Sequence, residues 1–353
     1  MIEQTSLIVF VIFIIFMLVL DLGVFHKKDA EIKFKEALYW TLIWIGLALV
    51  FYVLIYFKGE LIHGINNMAD LQRINQLHHH KLNFDGMSFQ QALDLYRHTL
   101  SLEYLSGYLI EKALSMDNIF VFIMIFASFR VNRSYLHRIL FYGILGALVF
   151  RFIFIFTASA LIDRFAWILP IFGAILLFTA VKMFLERNEK KAIDAEKHKI
   201  VRFFAKRGWS TSHTHGHDFF IKENGRWLVT PIFIVLMIVE LSDIVFALDS
   251  IPAIFAVTND PYIVFMSNVF AILGLRSLFF ILESIMDKFR YLKLGLSVLL
   301  AYIGIKMIAV FVFKIHISTV FSLFMIAFIL TASIVGSLVA DAIEKRKKLN
   351  VLR

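Results

Sequence analysis

The sequence predicts an all-α polytopic membrane protein, with about nine transmembrane helices that include an inverted-topology repeat of three and three. Three observations lead there: the apolar content, the placement of the basic residues, and one pattern of carboxylates that recurs in both halves. The chain has 353 residues, 60% of them apolar, with 39 phenylalanines, and its mean hydropathy is +0.78. Soluble domains are nearer to about 45–50% apolar. The N-terminus, Met1-Ile2-Glu3-Gln4, lacks a basic region, and no small-x-small cleavage pattern follows the first apolar run, so a cleaved leader is not expected. There is no cysteine, which excludes disulfides, thiolate metal sites and iron–sulfur clusters.

A membrane-crossing helix needs about 20 apolar residues. Nine runs qualify, near 6–25, 37–57, 105–129, 139–160, 166–185, 229–256, 263–283, 292–313 and 318–340. Segments 26–36, 130–138, 187–228, 288–293 and the tail after 341 hold 25 Lys and Arg, whereas the alternate connections hold 6. That asymmetry puts the N-terminus outside and the C-terminus in the cytoplasm. It also accounts for the net charge of +9 without nucleic-acid binding, which has no other support. Residues 58–104 are read as a polar amphipathic helix or loop on the outer face, and 187–228 as a cytoplasmic loop. Neither is long enough for a domain of ordinary size, so the chain is one membrane domain.

The repeat pairs the run near 105–186 with that near 229–313. Ser115-Met116-Asp117-Asn118-Ile119 aligns with Ala247-Leu248-Asp249-Ser250-Ile251, and each has an acid six residues upstream, Glu111 or Asp243. Gly143-Ile144-Leu145-Gly146 with Arg151 matches Ala271-Ile272-Leu273-Gly274 with Arg276, and Lys182-Met183 matches Lys306-Met307. The first unit enters the membrane from outside and the second from inside, the arrangement that supports alternating access around a midplane site. Pro252, the one proline deep in a run, leaves the Leu248 carbonyl without its helical donor beside Asp249.

A carboxylate in hydrocarbon costs about 2.5–3.5 kcal/mol on insertion scales, so it is kept where it meets a cavity, a partner or an ion. Asp21, Glu111, Asp117, Glu240, Asp243 and Asp249 lie within the runs, with Lys112, Arg151, Lys182, Arg276 and Lys306. Glu240 and Asp243 share a helix face, as do Glu111, Ser115 and Asn118. Asp117 lies about 240° round a straight helix from Glu111. Either the helix breaks near Ser115–Asn118, or the two acids serve different partners. Oxygen donors suit Mg²⁺, Ca²⁺ and Mn²⁺. Clustered carboxylates hold protons more tightly, and metal entry releases them, which is the coupling an exchanger needs. Arg151, Lys182, Arg276 and Lys306 are read as charge-balancing, and Ser267 and Asn268 as able to join the site. Asp21 is read as snorkelling or capping at the end of its run. His78-His79-His80 and His213, His215, His217 are read as solvated loops, since histidines cluster by chance and no acid completes a ligand set nearby. No phosphate loop, H-E-x-x-H or G-x-S-x-G motif is present, so no enzyme activity and no tightly bound cofactor is expected.

The stretches Tyr108–Asn118 and Glu240–Ala256 resemble the TerC/Alx family of bacterial membrane proteins. So do Asp260-Pro261-Tyr262, Ser267–Ser277, Asp21-Leu22-Gly23-Val24-Phe25-His26 and Gly304-Ile305-Lys306-Met307. The resemblance covers most of the chain. It implies an exporter of small solutes or metals, with Mn²⁺ efflux in the Alx-like branch. The acids of the family pattern fall on Glu111, Asp117, Glu240, Asp243 and Asp249, with Asn118 and Ser250 alongside. The segment before His137-Arg138 lacks the usual proline and glutamine, and the outer loop is idiosyncratic. The reading is a secondary-active Mn²⁺/proton exchanger. The alternative is a membrane scaffold that assists insertion or metallation of partner membrane proteins.

Overall fold

The structure is a computed structural model that describes residues 2–25, 34–80, 82–165, 167–186, 198–211, 218–223, 225–285, 291–313 and 317–351. Two helices open the chain, α1 (Ile2–Phe25) and α2 (Phe34–Lys58). Two short ones follow, α3 (Glu60–His63) and α4 (Met68–Leu77). The bundle is then built by α5 (Phe89–Ser128), α6 (Arg133–Arg164), α7 (Ile168–Leu185), α9 (Pro231–Phe255), α10 (Pro261–Ile272), α11 (Leu275–Ile285), α12 (Leu292–Phe313) and α13 (Thr319–Val351). Between α7 and α9 lie α8 (Lys199–Lys206) and a hairpin of β1 (Phe220–Glu223) and β2 (Arg226–Val229), paired antiparallel with Phe220 opposite Val229. The protein is therefore almost, but not wholly, helical. The hairpin reverses through Gly225 at φ +78°, a conformation that favours glycine.

Among the described residues, α2, α6, α7, α9, α12 and α13 are long and apolar enough to cross a bilayer. The α10–α11 pair adds a seventh crossing if counted as one bent span. Bulky apolar side chains such as Phe178 and Phe313, each 70% exposed, cover the outside, where lipid tails are an apolar solvent. The third apolar run is only the second part of α5. That helix has 40 residues, about 60 Å at 1.5 Å per residue, twice a hydrocarbon core of about 30 Å. Its first turns project beyond the bundle and pack with α4 and Glu60 of α3.

Local chemistry sets where these helices start. Ser88 accepts from the Gln91 amide at 3.4 Å, and the Gln91 side chain accepts from the Ser88 amide at 3.0 Å, a reciprocal cap. Thr230 and Asp260 cap α9 and α10, and each is followed by proline at the first helical position. Close approach sets where α7 and α12 meet. A methyl on Gly304 would lie 2.8 Å from the Gly173 carbonyl oxygen, so small residues let the two backbones touch.

The seventh apolar run is not a straight helix. It bends by 46° between α10 and α11. Gly274 at the corner has φ +82°, and a Cβ there would lie 2.8 Å from Trp44 of α2. Gly274→Ala is expected to lose more than about 1 kcal/mol, since the left-handed conformation alone costs roughly 1–2 kcal/mol for a residue with a Cβ. The thermal unfolding midpoint in detergent measures it, and an unchanged midpoint would show that Gly274 does not hold the bend.

Candidate functional site

Arg151, near the middle of α6, is 1% exposed. Its guanidinium collects groups from three other helices. Nε and Nη2 donate to the two carboxylate oxygens of Asp243 on α9, at 3.3 and 3.0 Å. Nη1 donates to Oε1 of Glu111 on α5 in a short charged contact, and to Oδ1 of Asn268 on α10 at 3.0 Å. The Asn268 amide then donates to Glu111 Oε2 at 3.1 Å. Ser115, one turn along α5, donates to Oε1 at 3.2 Å. Asn268 and Ser115 complete a network whose charged members are an arginine and two carboxylates. The planar guanidinium suits it, because its fixed fork of five donors matches carboxylate geometry.

Helix α5 runs unbroken through Ser115–Asn118, which resolves the choice left by the six-residue spacing: the two acids serve different partners. Helix α9 likewise continues through Pro252 to Phe255. A spacing of six turns a side chain by about 240°, so Asp117 and Asp249 point away from the faces that carry Glu111 and Asp243. Of the expected metal-binding residues Glu111, Asp117, Asn118, Glu240, Asp243, Asp249 and Ser250, Glu111 and Asp243 share a partner among the described residues. Glu111 and Asp243 meet at Arg151. Asp249 accepts from Thr179 of α7 at 2.8 Å and is coupled electrostatically to Lys182. Asp117 is coupled in the same way to Lys293 of α12. Glu240 packs against Gly146 of α6, where any Cβ would overlap its carboxylate, and it is coupled to Asp243.

The second set has a common property. Asp117 Oδ1, Asn118 Nδ2, Glu240 Oε2 and Ser250 Oγ are buried, and none makes a hydrogen bond among the described residues. A buried polar atom left so costs about 1–3 kcal/mol. These four atoms lie on α5 and α9.

The remaining cations are spread out. Arg276 on α11 is buried with Nη1 2.9 Å from Nε2 of His137 on α6. Lys182 is exposed. Lys306 donates to Ser322 Oγ of α13 at 2.7 Å and lines a cavity of about 380 Å³ with Glu103, Thr258 and His78-His79-His80. Of the four charge-balancing residues, Arg151 is thus bonded to two of the predicted acids, Glu111 and Asp243. Lys112 donates to the Ala271 carbonyl at 3.2 Å, in the last turn of α10, where carbonyls lack helical donors. Its role was not apparent from sequence, since the bend it serves is a tertiary feature. The side chain of Asp21 and residues 213, 215 and 217 lie outside what the structure describes.

His78 and His80 are not solvated. The side chain of His80 is 1% exposed and His78 is 7% exposed. They meet His63 of α3, Glu103 of α5 and Asp260 at the start of α10. Burial would push the Asp260 carboxyl up, but the charge and hydrogen bond of His63, with His78 and His80, outweigh it and hold the group well below the usual carboxylate range. The acids that join the triplet are distant in sequence, so no local pattern reveals them.

Removing Arg151 would leave Glu111 and Asp243 buried without their cation. Arg151→Gln is expected to cost about 3–5 kcal/mol, the usual scale for breaking a buried pair from one side. Adding Glu111→Gln and Asp243→Asn should restore most of it. Thermal unfolding in detergent of the single and triple variants tests this; a single variant as stable as the parent would show that the acids do not depend on Arg151.

Comparison with known proteins places these features in a family. The model of the integral membrane protein TerC family matches residues 96–348. An uncharacterized membrane protein of Myxococcus xanthus is 46% identical over 330 residues, 94% of this chain and 91% of its own length. A protein of Escherichia coli K12 named putative membrane-bound redox modulator Alx is 40% identical over 328 residues, 92% of each chain. A membrane protein of Rickettsia bellii is 40% identical over 301 residues, 85% of this chain and 87% of its own. No solved structure matches. With the family pattern running through the helices that hold Arg151, Glu111 and Asp243, the chain belongs to the TerC family of integral membrane proteins.

Proposed function

We propose that this protein is a secondary transporter that exports Mn²⁺ from the cytoplasm across the bacterial plasma membrane in exchange for protons. The observation that carries the reading is the meeting of Glu111 and Asp243 at one buried guanidinium, with four unpartnered polar atoms on the same two helices. Ionisable residues inside a membrane bundle are functional by default, because an idle one would be selected against by its cost. Hard oxygen donors favour Mn²⁺, Mg²⁺ or Ca²⁺, and the family resemblance favours Mn²⁺ among them.

In this reading nine spans cross the membrane, with the N-terminus outside and the C-terminus in the cytoplasm. Helices α5–α7 and α9–α12 are two inverted repeats, with the bent α10–α11 pair equivalent to α6. The helix contacts support it: α5 packs on α10 and α6 on α9, while α7 packs on α12 and α5 on α9. Exchanging the halves maps this set onto itself. Arg151 then acts as a tethered cation that holds Glu111 and Asp243 when no ion is present. A divalent ion that reaches the carboxylates competes with the guanidinium, and protons take its place on the return. The protein needs no resident cofactor and catalyses no chemical step. Relatives carry the name redox modulator. This chain has no cysteine, so its own thiols supply no such role; a redox effect would follow from moving a redox-active metal.

In proteoliposomes the purified protein is expected to move Mn²⁺ with protons flowing the opposite way, read by a metal-sensitive and a pH-sensitive dye. Glu111→Gln and Asp249→Asn should each slow the flux at least about tenfold, the equivalent of one lost interaction of about 1.4 kcal/mol. If the wild type moves no metal, or both variants move it at the wild-type rate, the transporter reading falls and a membrane scaffold takes its place.

A further inference from the structure

A second cluster of metal-ligating side chains lies at the end of the bundle that carries α3 and α4. His63 Nε2 is 2.8 Å from Asp260 Oδ2. The His63 and His78 rings have centroids 4.8 Å apart. One donor atom from each of His63, His78 and Asp260 falls within 4.8 Å of the other two. All three residues are buried, with the His63 and Asp260 side chains at 0% exposure. In a tetrahedral shell with metal–ligand bonds of about 2.0–2.1 Å, neighbouring donors sit roughly 3.3 Å apart. Small side-chain adjustments therefore bring these three into such a shell.

The surroundings orient the donors. Asp260 Oδ1 is engaged by the backbone amides of Tyr262 and Ile263, at 2.9 and 3.4 Å, which leaves Oδ2 facing the histidines. His80 Nδ1 is paired with Glu103, 3.2 Å from Oε2, and Glu103 Oε2 accepts in turn from Thr258 at 2.7 Å. That pairing leaves Nε2 of His80 as the acceptor. Nε2 lies 3.8 Å from Asp260 Oδ2, is buried, and makes no hydrogen bond among the described residues. A carboxylate behind an imidazole is the usual support for a metal-binding histidine. His78 and His80 also line the 380 Å³ cavity, which provides an entry path.

We propose that His63, His78 and Asp260, with His80 beside them, bind one borderline divalent transition-metal ion of the Zn²⁺ class at the mouth of this cavity. Imidazole donors separate this site from the oxygen-rich centre of the bundle, because they favour Zn²⁺, Cu²⁺ or Ni²⁺ over Mn²⁺. The site goes beyond the transport reading and does not depend on it.

The test uses the full-length, tag-free protein in detergent, with His213, His215 and His217 replaced by alanine so that they contribute no ligands. This background chain is expected to bind one Zn²⁺ by equilibrium dialysis and to hold it against excess Mn²⁺. X-ray absorption of the Zn²⁺-loaded protein should show at least two imidazoles. His63→Gln with His78→Gln should weaken binding by at least about tenfold, since loss of even a supporting partner costs roughly 10–100-fold in affinity. Glu36→Gln, at an exposed position on α2, should leave it unchanged. Full Zn²⁺ affinity in the double histidine variant, or loss of binding in Glu36→Gln, overturns the proposal. So does an all-oxygen shell in the background chain, a measurement that needs none of the site variants to fold.

Discussion

The structure depends on how a buried arginine is kept charged in an apolar bundle. Arg151 carries its guanidinium at 1% exposure, where an unpaired cation would cost several kcal/mol. It is tolerated because α5, α9 and α10 deliver Glu111, Asp243 and Asn268 to its donors. The requirement works in both directions: the two carboxylates take their charged hydrogen bonds from the arginine. Four helices are thereby tied at one point, and that point joins the two halves of the chain. Any rearrangement that separates α5 from α9 must break the hydrogen bonds of Arg151 to Glu111 or Asp243.

The same geometry gives the six-residue spacing its meaning. On an unbroken helix the second acid faces away from the first. Asp117 and Asp249 are therefore excluded from the arginine network by the regularity of α5 and α9 themselves. Each of α5 and α9 presents one acid bonded to Arg151 and one acid that faces elsewhere. Gly146 extends the argument, since only a residue without a Cβ leaves room for the Glu240 carboxylate against α6. The polar interior is thus divided between a saturated centre around Arg151 and an under-satisfied surround on the same two helices.

The end of the bundle near α3 and α4 is built on different chemistry. There the polar groups are imidazoles and carboxylates held by α4, the projecting turns of α5 and the cap of α10. Asp260 has two tasks, one oxygen capping α10 and the other facing His63. The extra length of α5 brings Glu103 to His80. Lys306, which the repeat pattern suggested as a partner for the central acids, lines the cavity at this end instead. That position was not encoded in its spacing from Met307 or Gly304.

Hydropathy and charge placement are local properties, and the sequence alone determined what depends on them: a membrane bundle, most of its crossings, the uneven distribution of basic residues and the acids that recur at fixed spacing. Helix periodicity also determined which residues share a face with Glu111. Only the tertiary structure decided partners, because periodicity gives a direction on one helix and says nothing of what stands opposite. Arg151 and Asp243 are 92 residues apart, and His63 and Asp260 are 197 apart. The 46° bend at Gly274 was hidden for the same reason: Trp44, which a Cβ at Gly274 would strike, stands on another helix, and a run of apolar residues reads alike whether straight or broken.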